Sequence, residues 1–396
     1  MTSLYRPAQL MHLLLSLGLC ALAQATCCGA QSPPQQALGS SPLLSRGCSD
    51  SDVLAVSGMA LQDINRDQQE GYALGLNRVH GVWEHRQDSQ GSLFYLTLDV
   101  LETSCHVLSR KDWKDCGARL LHESVYGQCK AMFYVNKPKR ILYLPAYNCT
   151  LRPVSRRKIH MMCPDCPSPS STDLSDPRVL EAATESLAKY NSKSASKQYS
   201  LDKVTRASHQ WVVGPAYFVE YLIRESPCTK LHASSCSLQS SDSMPVGLCQ
   251  GSLTQTRTEK FVSVTCDFFK SQVQTPEGES SAVKQSSGSL PGVEQPLQEN
   301  TTSSSSPAKT GPLGSIQHLP DLEDETPKGS EEKDRQEAFP VQLDLTTNPQ
   351  GDTLDISFLF LGSQQEKLVV LPFPKERHSA ECPGPARTTS PLVLPA

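Results

Sequence analysis

Two stretches of the chain repeat the same helical pattern of apolar positions. Residues 53–65 (VLAVSGMALQDIN) and 179–191 (VLEAATESLAKYN) align without a gap. Each places apolar or small residues at the three- and four-residue spacing that lines one face of an α-helix. These positions are Leu54, Ser57, Leu61 and Ile64 in the first copy and Leu180, Ala183, Leu187 and Tyr190 in the second. We therefore predict that each copy begins with an amphipathic helix.

A second pair of segments has the period-two pattern of a β-strand. Residues 92–105 (SLFYLTLDVLETSC) and 216–228 (AYFVEYLIRESPC) alternate apolar and polar positions, which is typical of a half-buried strand. The apolar positions are Phe94, Leu96, Leu98 and Val100 in the first copy and Tyr217, Val219, Tyr221 and Ile223 in the second. The same spacing in both copies indicates an internal repeat.

Four cysteines close each copy, with twelve residues between the middle two in both. They are Cys105, Cys116, Cys129 and Cys149, and then Cys228, Cys236, Cys249 and Cys266. We expect two α+β domains, at residues 48–152 and 177–270, in which a long helix covers one face of an antiparallel sheet. Residues 153–176 join them.

Composition indicates a secreted protein. Residues 1–30 resemble a signal peptide, followed by an N-terminal segment over 31–47, and no later stretch is apolar enough to span a membrane. Cleavage after Ala30 or Ala25 would leave twelve or fourteen of the fifteen cysteines, and either number suits a disulfide framework. The net charge of -4 gives no nucleic-acid footprint. Sequons at Asn148 and Asn300 predict glycosylation.

The C-terminal part has a different composition. Residues 271–340 are rich in Ser, Pro, Gly, Gln and Glu, so we predict a disordered linker. Residues 341–396 contain two strand candidates, TLDISFLFL and KLVVLPF, which predict a hairpin.

The motif QWVVG at residues 210–214, between the first two strands of the second copy, resembles the QxVxG hairpin of the cystatin superfamily. Tandem cystatin-like modules joined by CPDCP (residues 163–167) and followed by a long tail resemble the fetuin family. The likeness extends to YGQCKAMFYVNKPKRILYLPAYNCTLRPVSRRK, FPVQLDLTTNPQGDTLDISFLFL and the final PLVLP. It therefore covers nearly the whole mature chain.

The family resemblance implies a disulfide pairing that the sequence alone leaves open. In the fetuins, cysteines pair mostly with their neighbours, while the first bonds the last. Carried over to this chain, the pairs are Cys48–Cys382, Cys105–Cys116, Cys129–Cys149, Cys163–Cys166, Cys228–Cys236 and Cys249–Cys266.

No motif indicates an enzyme. The chain has no GxSxG, P-loop or dinucleotide fingerprint, and HESVY at His122 lacks the second histidine of a zinc-protease HExxH. We therefore expect neither catalysis nor a cofactor, and we expect a monomer.

The QWVVG hairpin is a candidate protease-binding element. Gln210, Trp211, Val212 and Val213 offer backbone and an apolar wedge to a protease cleft, and Gly214 permits a tight turn. The alternative is an inherited turn with Trp211 packed locally. The first copy has RVHGV (residues 78–82) near the equivalent place and lacks the motif.

CPDCP can be a metal half-site, a redox switch or a disulfide clasp. No second CxxC completes a structural zinc site, and no βαβ context favours a redox switch, so we predict a Cys163–Cys166 disulfide. A short disulfide loop constrains little of the unfolded chain, so its effect is local. Pro164 and Pro167 stiffen the loop further, and Asp165 is its one strong ligand. The alternative is a stiff spacer with a solvated Asp165.

Together these features predict a bipartite inhibitor. A rigid loop could aim Asp165 at the open position of a catalytic zinc in another protein, while QWVVG and the segment between Cys249 and Cys266 fill its cleft. The run Arg156, Arg157 and Lys158 could meet acidic protease surface, although short basic runs are usually only solvated. Resemblance to the fetuins implies astacin-like zinc metalloproteases as partners, including those acting at fertilisation, where inhibition would prevent premature egg-coat hardening.

Two other functions compete with this one. Inhibition of cysteine proteases through QWVVG would also need an N-terminal Gly segment and a Pro-Trp hairpin, for which Gly47 and Pro177 are the nearest substitutes. Mineral or ligand carriage would need a dense acidic face, and the strand at residues 92–105 offers Asp99 and Glu102 but no carboxylate at every alternate position.

Overall fold

The computed structural model describes ten segments, all within one compact unit. They are residues 43–87, 91–165, 169–194, 197–211, 213–226, 244–269, 312–320, 341–361, 365–375 and 381–388. The predictions for the signal peptide, Cys228, Cys236 and Asn300 lie outside these segments. No helix in the described segments is long and apolar enough to cross a membrane.

The first module has one long helix, α1 (Ser51–Asp67), packed on an antiparallel sheet. The strands are β1 (Leu44–Ser45), β2 (Tyr72–Gln87), β3 (Gly91–His106), β4 (Val125–Asn136) and β5 (Ile141–Pro153). They lie side by side in chain order, and the tail strand β11 (Leu313–His318) extends the sheet beyond β5. A short helix, α2 (Arg156–Met162), follows β5.

The second module repeats this arrangement with α3 (Pro177–Lys193) on a five-stranded sheet. Its strands are β6 (Ser170–Ser171), β7 (Tyr199–Trp211), β8 (Pro215–Glu225), β9 (Gly247–Gln255) and β10 (Lys260–Phe268). The Asp176 carboxylate accepts a hydrogen bond from the Arg178 amide at 2.8 Å, and Pro177 occupies the first helical position. Both features favour a helix beginning here. The α+β prediction of two tandem cystatin-like modules is confirmed.

The first position of the predicted buried face is wrong by one residue in both helices. Leu54 and Leu180 are exposed, whereas their neighbours Val53 and Val179 are fully buried. One residue is a rotation of about 100° around a helix, so the valines face the sheet and the leucines turn away. The remaining predicted positions, apart from the partly buried Tyr190, are buried.

The strand prediction is right in position and wrong in burial. Phe94, Leu96, Leu98 and Val100 face α1, but Leu93 and Tyr95 on the opposite face are also buried. Residues of the C-terminal region cover that face, so β3 is enclosed on both sides. In the second module Glu220, on the face of β8 away from α3, is likewise buried.

Four of the inferred disulfides lie within the described segments. Cys129 and Cys149 are directly opposite each other on β4 and β5, and Cys249 and Cys266 hold the same relation on β9 and β10. The bonded pairs are Cys48–Cys382, Cys105–Cys116, Cys129–Cys149 and Cys249–Cys266. The Cys48–Cys382 bond joins the C-terminal region to the start of the first module.

The C-terminal region forms a small apolar layer on the first sheet. Strands β12 (Asp352–Asp355) and β13 (Lys367–Val370) pair antiparallel. The predicted first strand is too long, because the chain turns into a 3₁₀ helix at Ser357–Leu359 after the buried Ile356. Strand β11 pairs in parallel with β5 although it lies inside the stretch predicted to be disordered. That prediction is wrong for these six residues, which use the free edge of β5.

Candidate functional site

The QWVVG motif is the turn between β7 and β8, where the sequence placed it. Trp211 is the last residue of β7 and pairs with Pro215, the first residue of β8. The side chain of Trp211 is 78% exposed and that of Val213 is 73% exposed. The alternative prediction, that Trp211 packs locally, is therefore wrong. Two large apolar side chains project into solvent. Val212 lies outside the described residues.

Gly214 is required here for a different reason from the one predicted. Its backbone is not in the left-handed region, so the turn does not depend on a positive φ. Instead Gly214 is buried, and a Cβ atom on it would lie 2.2 Å from the carbonyl oxygen of Gln255. Such a contact is much shorter than the van der Waals distance between carbon and oxygen, so only glycine fits without moving the backbone.

The close approach of Gln255 places a second turn beside the QWVVG turn. The segment between Cys249 and Cys266 is two strands, β9 and β10, and its connection closes with the Thr256 amide donating to the Glu259 carbonyl at 2.9 Å. The side chains of Arg257 and Thr258 are exposed at this turn. The second module therefore presents two adjacent hairpin ends.

The CPDCP loop begins from a support that the sequence did not predict. Helix α2 is anchored on the first module by Ile159, which is almost fully buried against Tyr126 and Val154. The Cys163 amide donates to the Ile159 carbonyl at 2.8 Å and so extends the helical hydrogen bonding to the loop. This contact fixes where the loop starts relative to the first module.

Asp165 and Pro164 are both exposed at the start of the loop. Cys163 is disulfide-bonded, which agrees with a closed clasp. Cys166 and Pro167 lie outside the described residues, so the pairing of Cys163 with Cys166 stays a prediction. A solvated spacer and a presented ligand both remain compatible with an exposed Asp165.

The chain leaving the loop is fixed to the strand that carries QWVVG. Ser170 of β6 pairs with His209 of β7. An Arg156 guanidinium nitrogen also donates to the Ser170 hydroxyl at 3.3 Å. Five residues after Asp165, the backbone is therefore two residues from Trp211, and the Cα atoms of Asp165 and Ser170 are at most about 18 Å apart.

A groove beside the QWVVG turn includes residues that the sequence did not single out. It has a volume of about 570 Å³. Its floor contains Arg178, whose guanidinium donates to the Tyr217 hydroxyl at 3.0 Å, and this hydrogen bond raises the pKa of Arg178. Tyr217 stacks on His209 at 6.1 Å between ring centroids. Of Arg178, His209 and Tyr217, the sequence pattern singled out only Tyr217, as an apolar position of the predicted strand.

The residues proposed for the two rival functions are placed differently. RVHGV lies in the middle of β2, whereas the turn equivalent to QWVVG follows Gln87, so the predicted equivalence is wrong. Pro177 is the first residue of α3, beside the groove residue Arg178, whereas Gly47 lies beside Cys48 on the first module and cannot act next to QWVVG as a second wedge of the same module.

The acidic residues considered for mineral binding have protein partners. The Asp99 carboxylate lies 2.6 Å from the Arg78 Nε atom and is buried. Glu102 is buried beside the guanidinium group of Arg206, at 2.8 Å. Within the described segments, no group of three or more His, Cys, Asp or Glu side chains could hold a metal ion. These contacts disfavour mineral carriage by the first sheet.

Comparison with known proteins shows which protein family the chain resembles. A family model described as "Cystatin domain" matches residues 166–258. Human fetuin-B is 69% identical over 386 residues, which cover 97% of this chain and 100% of the human protein.

Two solved complexes of a mouse relative share the fold. Mouse fetuin-B in complex with crayfish astacin is 60% identical, covers 90% of this chain and 98% of the mouse chain, and has a TM-score of 0.69. Mouse fetuin-B in an inhibitory complex with human meprin beta is 59% identical, covers 89% and 99% of the two chains, and has a TM-score of 0.70.

Proposed function

Because the chain belongs to the fetuin-B family, we propose that it is a secreted inhibitor of astacin-family zinc metalloproteases. The observation that carries the proposal is the exposed Asp165 on an anchored support, linked to the exposed Trp211 turn by the pairing of Ser170 with His209. The mouse relatives in complex with astacin and with meprin beta support the choice of target. The inhibitor acts by binding, and its restraint of proteases at fertilisation stays a prediction from the resemblance.

Asp165 is the proposed ligand of the catalytic zinc in the target protease. Such a zinc holds three protein ligands and leaves one position for the water that attacks the substrate. A carboxylate oxygen at about 2.1 Å would fill this position and displace the water. The anchoring by Ile159 before the loop and Ser170 after it supports this role, because a carboxylate whose flanking chain is already held in place loses less conformational entropy on binding.

The QWVVG turn supplies the second contact. Trp211 and Val213 expose apolar surface to water. A partner that covers this surface removes it from water, which favours binding. Tryptophan is among the residues that most often dominate protein interfaces. Trp211 therefore fills a subsite of the cleft, and the adjacent turn with Arg257 extends the contact.

The zinc role is tested with Asp165→Ala and Asp165→Asn against an astacin-family protease. We expect the inhibition constant to rise at least ~30-fold for both, since losing one partner of a desolvated charged contact costs about 2–5 kcal/mol. Trp211→Ala should raise it by a smaller factor, about 5–30-fold. The matched control is Asp115→Ala, which removes an exposed carboxylate from the first module and should change inhibition less than twofold.

A spectroscopic experiment separates zinc ligation from general loss of affinity. In a cobalt-substituted protease, binding of the wild-type protein should shift the visible absorption bands of the metal, because a ligand has changed. Binding of saturating Asp165→Asn should leave the bands as in the free protease. If wild-type protein inhibits without changing the bands, the zinc-ligand role is wrong although inhibition stands.

Inhibition of papain-like cysteine proteases is the second candidate, because Trp211 is exposed and a second hairpin end lies beside it. One preparation should be assayed against a papain-like and an astacin-family enzyme. Potent inhibition of the papain-like enzyme alone would reverse our ranking of the two functions.

A further inference from the structure

Two ion pairs cross between the modules in opposite directions. Arg119 of the first module faces Glu220 on β8, with both guanidinium NH groups 3.4 Å from the carboxylate oxygens. Arg206 on β7 faces Glu102 on β3, with the guanidinium nitrogen 2.8 Å from the carboxylate. The Arg119 side chain is 2% exposed and that of Glu102 is 4% exposed. We refer to Glu102, Arg119, Arg206 and Glu220, together with Tyr72, as the module clamp.

Tyr72 completes the module clamp from the first module. The Arg119 guanidinium lies 3.7 Å and that of Arg206 5.1 Å from the centre of its ring, both within cation–π range. The Tyr72 hydroxyl donates a hydrogen bond to the Glu220 carboxylate and also contacts the Thr205 hydroxyl at 3.0 Å. An aromatic ring held by two guanidinium groups gives the junction a defined geometry.

The charges in the module clamp are fully formed at neutral pH. Burial alone would raise the pKa of Glu220, but Arg119, the Tyr72 hydroxyl and Arg206 outweigh it and hold the pKa below its ordinary value. Burial of Glu102 is likewise outweighed by a hydrogen bond from His318 and by the two guanidinium groups, so its pKa is also lowered. Both carboxylates are therefore anionic opposite cations.

The module clamp lies at the base of the QWVVG hairpin. Arg206 and Glu220 are directly paired across β7 and β8, and five residues further along each strand Trp211 pairs with Pro215 at the turn. At about 3.3 Å per residue, the pair is roughly 16 Å below the turn. A change in the geometry of the module clamp would therefore displace the turn at the far end of the hairpin.

The module clamp also contacts the support of Asp165. Arg206 donates to the carbonyl oxygen of Glu123 at 3.1 Å. The next carbonyl, that of Ser124, accepts from the amide of Val154, which packs with Ile159 of α2. The turn at Glu123 and Ser124 of the first module therefore contacts both the base of the hairpin and the residue on which helix α2 packs. Helix α2 leads to Asp165.

We propose that the module clamp is a positioning element that sets the separation of Asp165 and the QWVVG hairpin, so that both engage one protease molecule. This inference rests on the proposed function. Each module has its own buried core and a cross-strand disulfide, and Tyr72 also packs with Leu222 and Leu248 in a small apolar cluster at the junction. Buried ion pairs contribute little net stability compared with apolar contacts, and fixing one geometry is the role in which they are best attested. Two linked contacts gain affinity only when the linkage holds both in reach.

The test is Glu220→Gln, which keeps the shape of the side chain and removes its charge. Because Arg119 then loses its bidentate partner, we expect the inhibition constant for an astacin-family protease to rise at least ~10-fold. The matched control is Lys203→Ala, since Lys203 and Glu70 also pair across the junction, at 2.8 Å, but both are exposed. Exposed pairs contribute little, so the control should change inhibition less than twofold.

A positioning role predicts coupling that a loss of fold would not produce. In the wild-type background Trp211→Ala should cost about 5–30-fold, whereas in the Glu220→Gln background its cost should fall below ~3-fold. Small-angle scattering of the free Glu220→Gln protein should show a broader distribution of distances at unchanged circular dichroism. Arg119→Lys should retain more inhibition than Arg119→Met, because it keeps the charge while losing the planar fork.

The outcomes separate this inference from the function on which it rests. If the wild-type protein does not inhibit the protease, the proposed function fails and the positioning role fails with it. If the wild-type protein inhibits and Glu220→Gln either inhibits equally well or keeps the full Trp211→Ala cost, the positioning role alone is overturned.

Discussion

His106 should make the module junction sensitive to mild acid. It is the last residue of β3, it is 2% exposed, and it lies between the rings of Tyr72 and Phe269, at 5.6 and 6.1 Å between centroids. Its Nδ1 atom accepts a hydrogen bond from the Leu108 amide at 3.2 Å. Only an unprotonated Nδ1 can accept, so the fold requires the neutral imidazole.

The magnitude follows from the pKa. Burial lowers the pKa of His106 from 6.5 to about 4, against the opposing attraction of Glu220 and Glu70. In the unfolded chain the imidazole binds a proton below about pH 6.5, but in the folded chain only near pH 4. The free energy of unfolding is therefore unaffected above pH 6.5 and falls as the pH drops from 6.5 towards 4. At about 1.4 kcal/mol per pH unit, the loss is about 2 kcal/mol at pH 5 and about 3 kcal/mol at pH 4.

Denaturant unfolding at pH 7.5 and pH 5.0 measures this loss. His106→Gln removes the titrating group, so its stability should fall about 2 kcal/mol less than that of the wild type between the two pH values. His160→Gln replaces an exposed histidine on α2 and should leave the pH dependence unchanged. If His106→Gln and wild type lose equal stability, His106 is not held neutral by the fold and the reasoning is wrong.

Three further substitutions test the packing. Gly214→Ala would place a Cβ 2.2 Å from the Gln255 carbonyl, so we expect it to displace the hairpin and weaken protease inhibition at least ~10-fold while circular dichroism stays unchanged; unchanged inhibition would contradict this. Gly58→Ala on α1 meets only Trp113 at 3.9 Å and should raise the free energy of unfolding by about 0.5–1 kcal/mol, whereas destabilisation would show that the helix has no room there. Phe373→Ala should lower it by about 3 kcal/mol and increase proteolysis of the C-terminal region, and wild-type resistance would refute its docking.

The elements that the sequence predicted are those with a local signal. Both helices follow from periodicity within about fifteen residues, and the repeat made each copy a check on the other. The QWVVG turn was predicted from its resemblance to the cystatin hairpin. The error at Leu54 and Leu180 arose because their neighbours Val53 and Val179 fit a helical face equally well. Spacing alone could not choose between two faces one residue apart.

The features that the sequence missed depend on distant parts of the chain. Arg119 and Glu220 are 101 residues apart, and each by itself suggests a solvated charge. Helix α2 has 7 residues, about half of the roughly 12–15 that an isolated helix needs, and it is held by burial of Ile159 rather than by its own pattern. Strand β11 has no strong strand composition and depends on the free edge of β5. Only tertiary contacts decide such elements.

The two modules share a fold but differ in what covers the end of their first hairpin. In the first module the Gln87 side chain, at the end of β2, donates to the Val369 carbonyl at 2.8 Å and accepts from the Val369 amide at 2.9 Å. The C-terminal strand β13 is thereby fastened to the hairpin. In the second module the corresponding position carries the exposed Trp211. The C-terminal region therefore fixes one hairpin as part of a base, and the module clamp holds the other, uncovered hairpin at a set angle to that base.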